Sequence, residues 1–403
     1  MIIIHEMTGP RYRPRALASA VELSLRDHPV VVVSGARQTG KTTLVRNLAV
    51  AGQRELLSLD DFDVLEMARR RPEDLLARAG RLTIDEVQRA PELLLAIKKD
   101  VDKRRARGRF LLTGSANLLL MKEVADSLAG RAVYLLLAPF TAGEKRGDGV
   151  LPPWSELFRA PSVANLLGRV RGPGPSGDWL RALLQGGMPP AVLARSIRAR
   201  STWFEGFVRT YVERDVRDLS RVSSLPDFRR LMGLAARRVG QLLNQTDLAR
   251  DAGLPQATAH RYLNLLEVSF QTVRLIPYTA NPSKRLIRAP KLYWWDSGIA
   301  AHLLGVNDPR ALRSSGLLGP LLENAVLTGL LAWRETRHPR PGIHFWRTAG
   351  GAEVDFVIES GRRLLPVEIK ASKRIRTGDL RHLENFLADY GSRAPFGVVL
   401  HET

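Results

Sequence analysis

No cysteine occurs anywhere in the 403 residues. That excludes disulfide staples, a cysteine nucleophile and cysteine-ligated zinc. Long apolar runs are missing as well. Stretches such as Val133 to Leu137 fall far short of the ~18 to 20 residues of a membrane span. The opening segment, Met1 to Pro10, has no basic stretch ahead of its short apolar patch and does not read as a secretory leader. The eight histidines show no HExxH or HxH spacing for a metal. A cytoplasmic protein is the expectation, with no membrane partner. Lysine is scarce too, at 10 of 61 basic residues.

Those 61 basic side chains nevertheless outnumber 41 acidic ones, for a net charge of +20. Such an excess points to a polyanion, because displaced phosphate counterions drive that kind of binding. The plainer source is a base-biased genome that favours arginine. The excess is also diffuse, with +6 in residues 281–403 and +14 upstream. Hydrophobic residues at 44% and charged residues at 25% are ordinary for a globular chain. At ~150 residues per domain, the length implies two or three domains with cores of their own.

Residues 1–145 alternate short apolar strands with amphipathic helices, the pattern of a parallel sheet covered on both faces. Residues 146–235 read as a connector and helical lid, with a Gly- and Pro-rich run at Arg171 to Gly177. Residues 236–312 read as winged-helix-like, and 313–403 return to strands flanked by helices. There is no internal repeat.

Val30 to Ser34 is a buried strand by composition, and it runs into Gly35-Ala-Arg-Gln-Thr-Gly40-Lys41-Thr42, a GxxxxGK[ST] match. A helix over Thr43 to Val50 is expected next. The glycines let backbone N–H groups curl round phosphates, Lys41 reaches the β- and γ-phosphates, and the Thr42 hydroxyl ligates Mg²⁺. Gly35, Ala36, Arg37, Gln38, Thr39, Gly40, Lys41, Thr42 and Thr43 are therefore the nucleotide-contacting run. Arg81-Leu-Thr-Ile-Asp85-Glu86 is a second strand, ending in two carboxylates. Asp85 would hold Mg²⁺ and Glu86 would polarise the attacking water. The pattern is that of a nucleoside triphosphatase. A third strand, Arg109 to Thr113, ends in Gly114-Ser-Ala-Asn117. Thr113 and Asn117 compete for a γ-phosphate sensor role, against the plainer reading of a turn. Arg131, in Ser127-Leu-Ala-Gly-Arg131, is a candidate arginine finger for a neighbour's site.

GARQTGKTTL, the Leu59-Asp60-Asp61 strand end, TIDEVQRAPELL, FLLTGSAN and SLAGR occur in that order. Together they resemble the prokaryotic AAA+-type ATPases of the archaeal-ATPase/MNS-like group, whose C-terminal half is known mainly as a domain of unknown function. The resemblance extends over nearly the whole chain, through Gly186-Gly-Met-Pro189, Tyr211-Val-Glu-Arg-Asp215 and Lys291-Leu-Tyr-Trp-Trp-Asp296-Ser-Gly298. It implies an AAA+ core, ATP rather than GTP, and sites completed between subunits of a homo-oligomeric ring, with a hexamer favoured. The absence of an NKxD-like guanine reader agrees.

In the middle segment, Leu243 to Leu266 reads as two helices joined at Gly253, the first capped by Thr246 or Gln245. The second carries Ala259, Leu263 and Leu266 on one side and Gln256, Thr258, His260 and Arg261 on the other. A helix-turn-helix puts the start of its second helix in the major groove, so these polar residues are candidate DNA contacts. The strand Phe270 to Ile276 and the basic segment Lys284 to Lys291 would form a wing, with Lys284, Arg285 and Arg288 toward DNA. The alternative is a helical hairpin used for packing or subunit contact. Tyr293, Trp294 and Trp295 suit a buried cluster better than base stacking.

At the C-terminal end, Glu353 to Glu359 and Arg363 to Lys370 read as strands. Period-two alternation sends Glu368 and Lys370 one way and Val367 and Ile369 into the core. An acid on one strand and E-x-K on the next resemble the PD-(D/E)xK nucleases, and Glu323 matches the helical acid of that superfamily. On that resemblance Asp355 and Glu368 hold Mg²⁺, Lys370 orients water and Glu323 supports a second metal. Many such domains do not cut, so catalysis stays open. The expected whole is an α/β chain: a P-loop AAA+ parallel sheet core, a helical lid with a winged-helix segment, and a C-terminal α/β PD-(D/E)xK nuclease-like domain. Its expected work is ATP hydrolysis acting on DNA, in repair, branched-DNA processing or defence. The alternative is an ATP-dependent regulatory switch whose nuclease-like domain is inactive.

Overall fold

The computed structural model describes residues 12–115, 128–165, 178–211, 224–279 and 289–402. Within the first of these, Val30–Ser34 (β1) is four consecutive valines and a serine, all buried. It lies inside a five-stranded sheet of order β2-β3-β4-β1-β5, the others being Glu55–Ser58 (β2), Leu82–Asp85 (β3), Phe110–Gly114 (β4) and Ala132–Leu136 (β5). Every pairing in it is parallel. A strand covered on both faces needs apolar residues at every position, and that is why β1 shows no alternation. Val30 and Val32 face one core, shared with helix α3 (Leu93–Arg104). Val31 and Val33 face the other, shared with α1 (Ala18–Asp27) and Leu44 of α2 (Lys41–Arg46). Helix α2 is shorter than expected. It stops at Arg46, where the Asn47 side-chain amide donates to the Thr43 carbonyl oxygen at 2.8 Å and closes the last turn.

The middle of the chain is helical. Ile197–Thr210 (α4) and Leu225–Ala236 (α5) precede a pair, Gln245–Asp251 (α6) and Gln256–Val268 (α7). Asn244 caps α6 by accepting from the amides of Thr246 and Asp247, so the cap lies one residue before the expected Gln245 or Thr246. Gly253, at φ +60°, makes the turn into α7. Beside the pair lies a three-stranded antiparallel sheet, order β6-β8-β7, of Gln241–Leu242 (β6), Thr272–Leu275 (β7) and Lys291–Trp294 (β8). Tyr293, Trp294 and Trp295 are buried in one core with the helices, as expected. Helix α8 (Ser297–Leu303) follows.

The C-terminal sheet has order β12-β11-β10-β9: Gly342–Arg347 (β9), Glu353–Ser360 (β10), Arg363–Lys370 (β11) and Val398–His401 (β12). Helices Leu318–Glu335 (α9) and Arg381–Tyr390 (α10) pack against it. Both faces are therefore covered, and Glu368 is buried along with its neighbours Val367 and Ile369. Helix α9 also reaches the N-terminal sheet. Glu335 accepts from the Leu136 amide at 3.0 Å and pairs with Arg340 at 3.0 Å, so a buried carboxylate guards the edge strand β5. Among the described residues, no helix is long and apolar enough to cross a membrane.

Candidate nucleotide site and a second acidic cluster

The loop between β1 and α2 is shaped by its two glycines. At Gly35 an added Cβ would stand 2.5 Å from the Leu137 carbonyl oxygen. Gly40 precedes α2 at φ +89°, a conformation that costs a side-chain-bearing residue more. Thr39 is fully buried, its hydroxyl donating to the Ala36 carbonyl oxygen at 2.8 Å. The Lys41 ammonium donates to the carbonyl oxygens of Gly35 at 2.9 Å and Ala36 at 3.0 Å. It is thus curled over the loop that is built to hold phosphates.

Strand order brings the second motif to this loop. β4 pairs with both β1 and β3, so the ends of all three strands converge. The Thr42 hydroxyl donates to Asp85 Oδ2 at 2.7 Å, and the Thr113 hydroxyl donates to Asp85 Oδ1. Glu86 sits at φ +58°, rare for a glutamate. It accepts from Ser115 Oγ at 2.6 Å and from the Gln88 side-chain amide. The Glu86 backbone amide in turn reaches Thr113 Oγ1 at 3.4 Å. Thr113 thus orients both acids, while its competitor Asn117 lies outside the described residues. Adjacent hydroxyl and carboxylate oxygens are the hard donors Mg²⁺ takes, so Thr42 and Asp85 fit that ion.

Two further residues at this site, Arg15 and Trp203, carry no sequence motif of their own. Arg15, 6% exposed, donates to the Thr39 carbonyl oxygen at 2.7 Å and to the Ala138 carbonyl oxygen, and pairs with Glu144 at 2.9 Å. It braces the loop from a segment with no recognisable signature. From α4, the Trp203 indole N–H donates to Gln38 Oε1 at 3.1 Å. Asp296 caps α8 and accepts from the amides of Gly187 and Met188, while the Gly187 carbonyl oxygen accepts from the Phe140 amide at 2.7 Å. The Gly186-Gly-Met-Pro189 and Trp294-Trp-Asp296 motifs, far apart in sequence, therefore meet beside the loop.

Arg131 goes elsewhere. It precedes β5, whose first residue pairs with Val30, so it lies at the end of the sheet opposite the phosphate loop of its own chain. There it makes a two-pronged ion pair with Asp102 at 2.6 and 2.9 Å. On α7, Gln256, His260 and Arg261 are exposed and Thr258 is half-buried. His260 is held by Gln245 at 2.8 Å and Gln256 by Thr246 at 3.1 Å. Lys284, Arg285 and Arg288 lie outside the described residues. Lys291, expected at the end of a basic wing, is instead buried at the start of β8.

The C-terminal acids do come together. Pairing of Phe356 with Val367 sets Asp355 beside Glu368, and Asp355 Oδ2 accepts from the Ile369 amide at 2.8 Å. Lys370 holds Glu368 Oε1 at 2.8 Å. Burial pushes Glu368 up to about 7 and Glu323 up to about 7. The Lys291 ammonium, however, stands 2.9 Å from Glu323 Oε1 and 3.9 Å from Asp355 Oδ1, and contacts Glu353 Oε1. Among the described residues, no group of three or more His, Asp or Glu is arranged to hold a metal ion. The expected metal roles of Glu323, Asp355 and Glu368 do not fit this arrangement, because the Lys291 ammonium stands against Glu323 and Asp355 and the Lys370 ammonium holds Glu368.

Fold and loop together define the class: a P-loop ATPase-like protein with an AAA domain, whose family matches residues 27–145. Two families described as domains of unknown function, DUF8612 and DUF4143, match residues 176–310 and 318–403. The uncharacterized protein Rv2008c of Mycobacterium tuberculosis and the uncharacterized protein Mb2031c of Mycobacterium bovis are each 33% identical over 376 residues, covering 91% of this chain and 77% of theirs. The chain belongs to the family of these two proteins. Among solved structures, the Walker-type ATPase PABY2304 of Pyrococcus abyssi is similar at TM-score 0.46 and 16% identity, over 73% of this chain and 99% of that one. A single-site variant of RuvB from Thermotoga maritima is similar at TM-score 0.30 and 18% identity, over 64% and 88%.

Proposed function

We propose that the chain hydrolyses ATP and uses the cycle to act on DNA, as a homo-oligomeric ring of AAA+ type, hexameric by preference. The observation that carries the ATPase reading is the convergence of Thr42 and Thr113 on Asp85, beside the Lys41 loop and Glu86. Lys41 exchanges its loop carbonyls for the β- and γ-phosphate oxygens. Mg²⁺, held by Thr42 and Asp85, neutralises phosphate charge when bound. Glu86 orients the attacking water from a position held by Ser115 and Gln88. Trp203 on Gln38 and the Gly187–Asp296 bonds link the loop to the helical region, a route by which nucleotide turnover shifts the lid. Arg131 would serve a neighbouring subunit only by leaving Asp102.

DNA is the partner because the net charge is +20 and α7 presents Gln256, Thr258, His260 and Arg261 next to a short antiparallel sheet. Helix pair and sheet together suit a winged helix. For the C-terminal domain, the position of Lys291 favours the reading as a nuclease-like docking module that does not cut.

The test is ATP turnover with and without single-stranded, duplex and four-way-junction DNA, with the same DNA run on a gel in Mg²⁺. Stimulation by one form, with that DNA left intact, is expected. Turnover indifferent to every DNA would replace the DNA-acting reading with the regulatory switch, and nicked DNA would restore the nuclease.

A further inference from the structure

One side chain sets the C-terminal acids apart from a metal centre. Lys291 belongs to the sheet beside the helix pair, yet its side chain is 3% exposed and ends inside the C-terminal domain. The carboxylates it meets come from two other elements, Glu323 from α9 and Glu353 and Asp355 from β10. Two residues further along the same face of β8, the Tyr293 hydroxyl also donates to Glu323 Oε1. That oxygen therefore accepts from both an ammonium and a phenol. The other oxygen of Glu323 is hemmed in by Gly240, where an added Cβ would stand 3.2 Å from Oε2. Arg347 takes the second oxygen of Glu353. Glu368 Oε2 alone is left buried, with no hydrogen-bond partner among the described residues.

We infer that Lys291 is the resident cation of this cluster. It stands among Glu323, Glu353 and Asp355, on the side where Glu323 would support a metal, while Lys370 holds Glu368, so the domain neither binds Mg²⁺ there nor hydrolyses phosphodiesters. Its work is to lock β8, and the helix pair with it, to the C-terminal sheet. Mg²⁺ demands oxygens at about 2.0 to 2.1 Å in near-octahedral array. An ammonium 2.9 Å from Glu323 fills that space, and two cations side by side in a poorly solvated site repel strongly. A tethered ammonium also differs from a metal in that dilution does not remove it. Three acids from two elements held by one lysine from a third make a joint, as buried and hydrogen-bonded charges do when each is partnered. This inference rests on the nuclease-like reading of the domain and is independent of the ATPase and DNA readings.

Mn²⁺ binding to the nucleotide-free full-length protein, followed by electron paramagnetic resonance, tests it. Wild type and Asp355→Asn are expected to bind Mn²⁺ alike, since neither offers the cluster to a metal. Lys291→Met and the milder Lys291→Gln are expected to gain one Mn²⁺, held at least ~10-fold tighter than by wild type. Adding Asp355→Asn to either should abolish the gain. Their unfolding temperatures should rise with Mn²⁺ while that of wild type does not. Mn²⁺ bound by wild type and lost in Asp355→Asn would overturn the inference, and that comparison stands even if Lys291→Met fails to fold. A folded Lys291→Gln that gains no Mn²⁺ would overturn it as well. DNA-stimulated ATP turnover is read separately, so failure here and failure of the DNA reading are distinguishable.

Discussion

Lys41 and Lys291 are both almost wholly buried, yet they meet different kinds of partner. Lys41 is turned back onto two carbonyl oxygens of its own loop, partners that phosphate oxygens readily outbid because they carry full charge. Lys291 is set among three carboxylates contributed by two other elements. Withdrawing it would strand buried negative charge, which is far costlier than freeing a pair of carbonyls. On the proposed reading, the same side chain is a phosphate receptor in one region and a fixed counter-ion in the other. What differs is the partner, not the lysine.

Substitutions at these two sites can break or sharpen the contrast. Lys41→Ala should lower ATP turnover efficiency by about 10³-fold, on the scale of losing a preorganised charge donor, with the unfolding temperature close to wild type. Retained turnover in a steady-state assay would remove Lys41 from the phosphate site. Lys291→Met should do the reverse, costing about 3 kcal/mol in denaturant unfolding because unpaired carboxylates remain buried. A variant as stable as wild type would mean that the ammonium's own desolvation cancels its attraction, and the joint would lose its energetic basis. Glu86→Gln should keep ATP bound while slowing turnover about 10²-fold, as loss of a general base does. Normal single-turnover rates would show that Glu86 does not position the water.

The smallest effect concerns pH. Burial raises Glu323 to about 7 and Glu368 to about 7, whereas an unfolded glutamate titrates near ~4.3. Between those values the folded chain holds protons that the unfolded chain has released, so stability falls as pH rises toward and through 7. Thermal unfolding should come ~3 °C lower at pH 8 than at pH 6, and Glu368→Gln should shrink that gap. An unchanged gap in the variant would place the pH dependence elsewhere in the chain.

Much of the nucleotide site was legible because its chemistry is local. Gly35 to Thr42 must be contiguous to wrap a phosphate, and Asp85 with Glu86 must end a strand to face it. Thr113 was legible only as one of two alternatives, since choosing it requires knowing that its hydroxyl reaches Asp85. The helix pair was legible from the spacing of Ala259, Leu263 and Leu266, and its cap was displaced by one residue because Asn244 outcompetes its neighbours for the free amides. Arg15 was invisible. Its partners Thr39, Ala138 and Glu144 are 24 to 129 residues away, and no spacing rule spans such gaps.

Arg131 and Lys291 show the limit from the other side. Each was singled out by the company it keeps in sequence, one in the Ser127-Leu-Ala-Gly-Arg131 run and one at the end of a basic segment. Folding carried Arg131 to the far end of the sheet, against Asp102, and drove Lys291 into an acidic interior. The sequence by itself determined the parallel core, the phosphate loop, the acids that face it and the strands that carry Asp355 and Glu368, because each depends on residues a few positions apart. Tertiary structure alone decided which acids stay available and which are neutralised. That is settled over about 3 Å between elements, where burial makes each charge depend on its nearest partner.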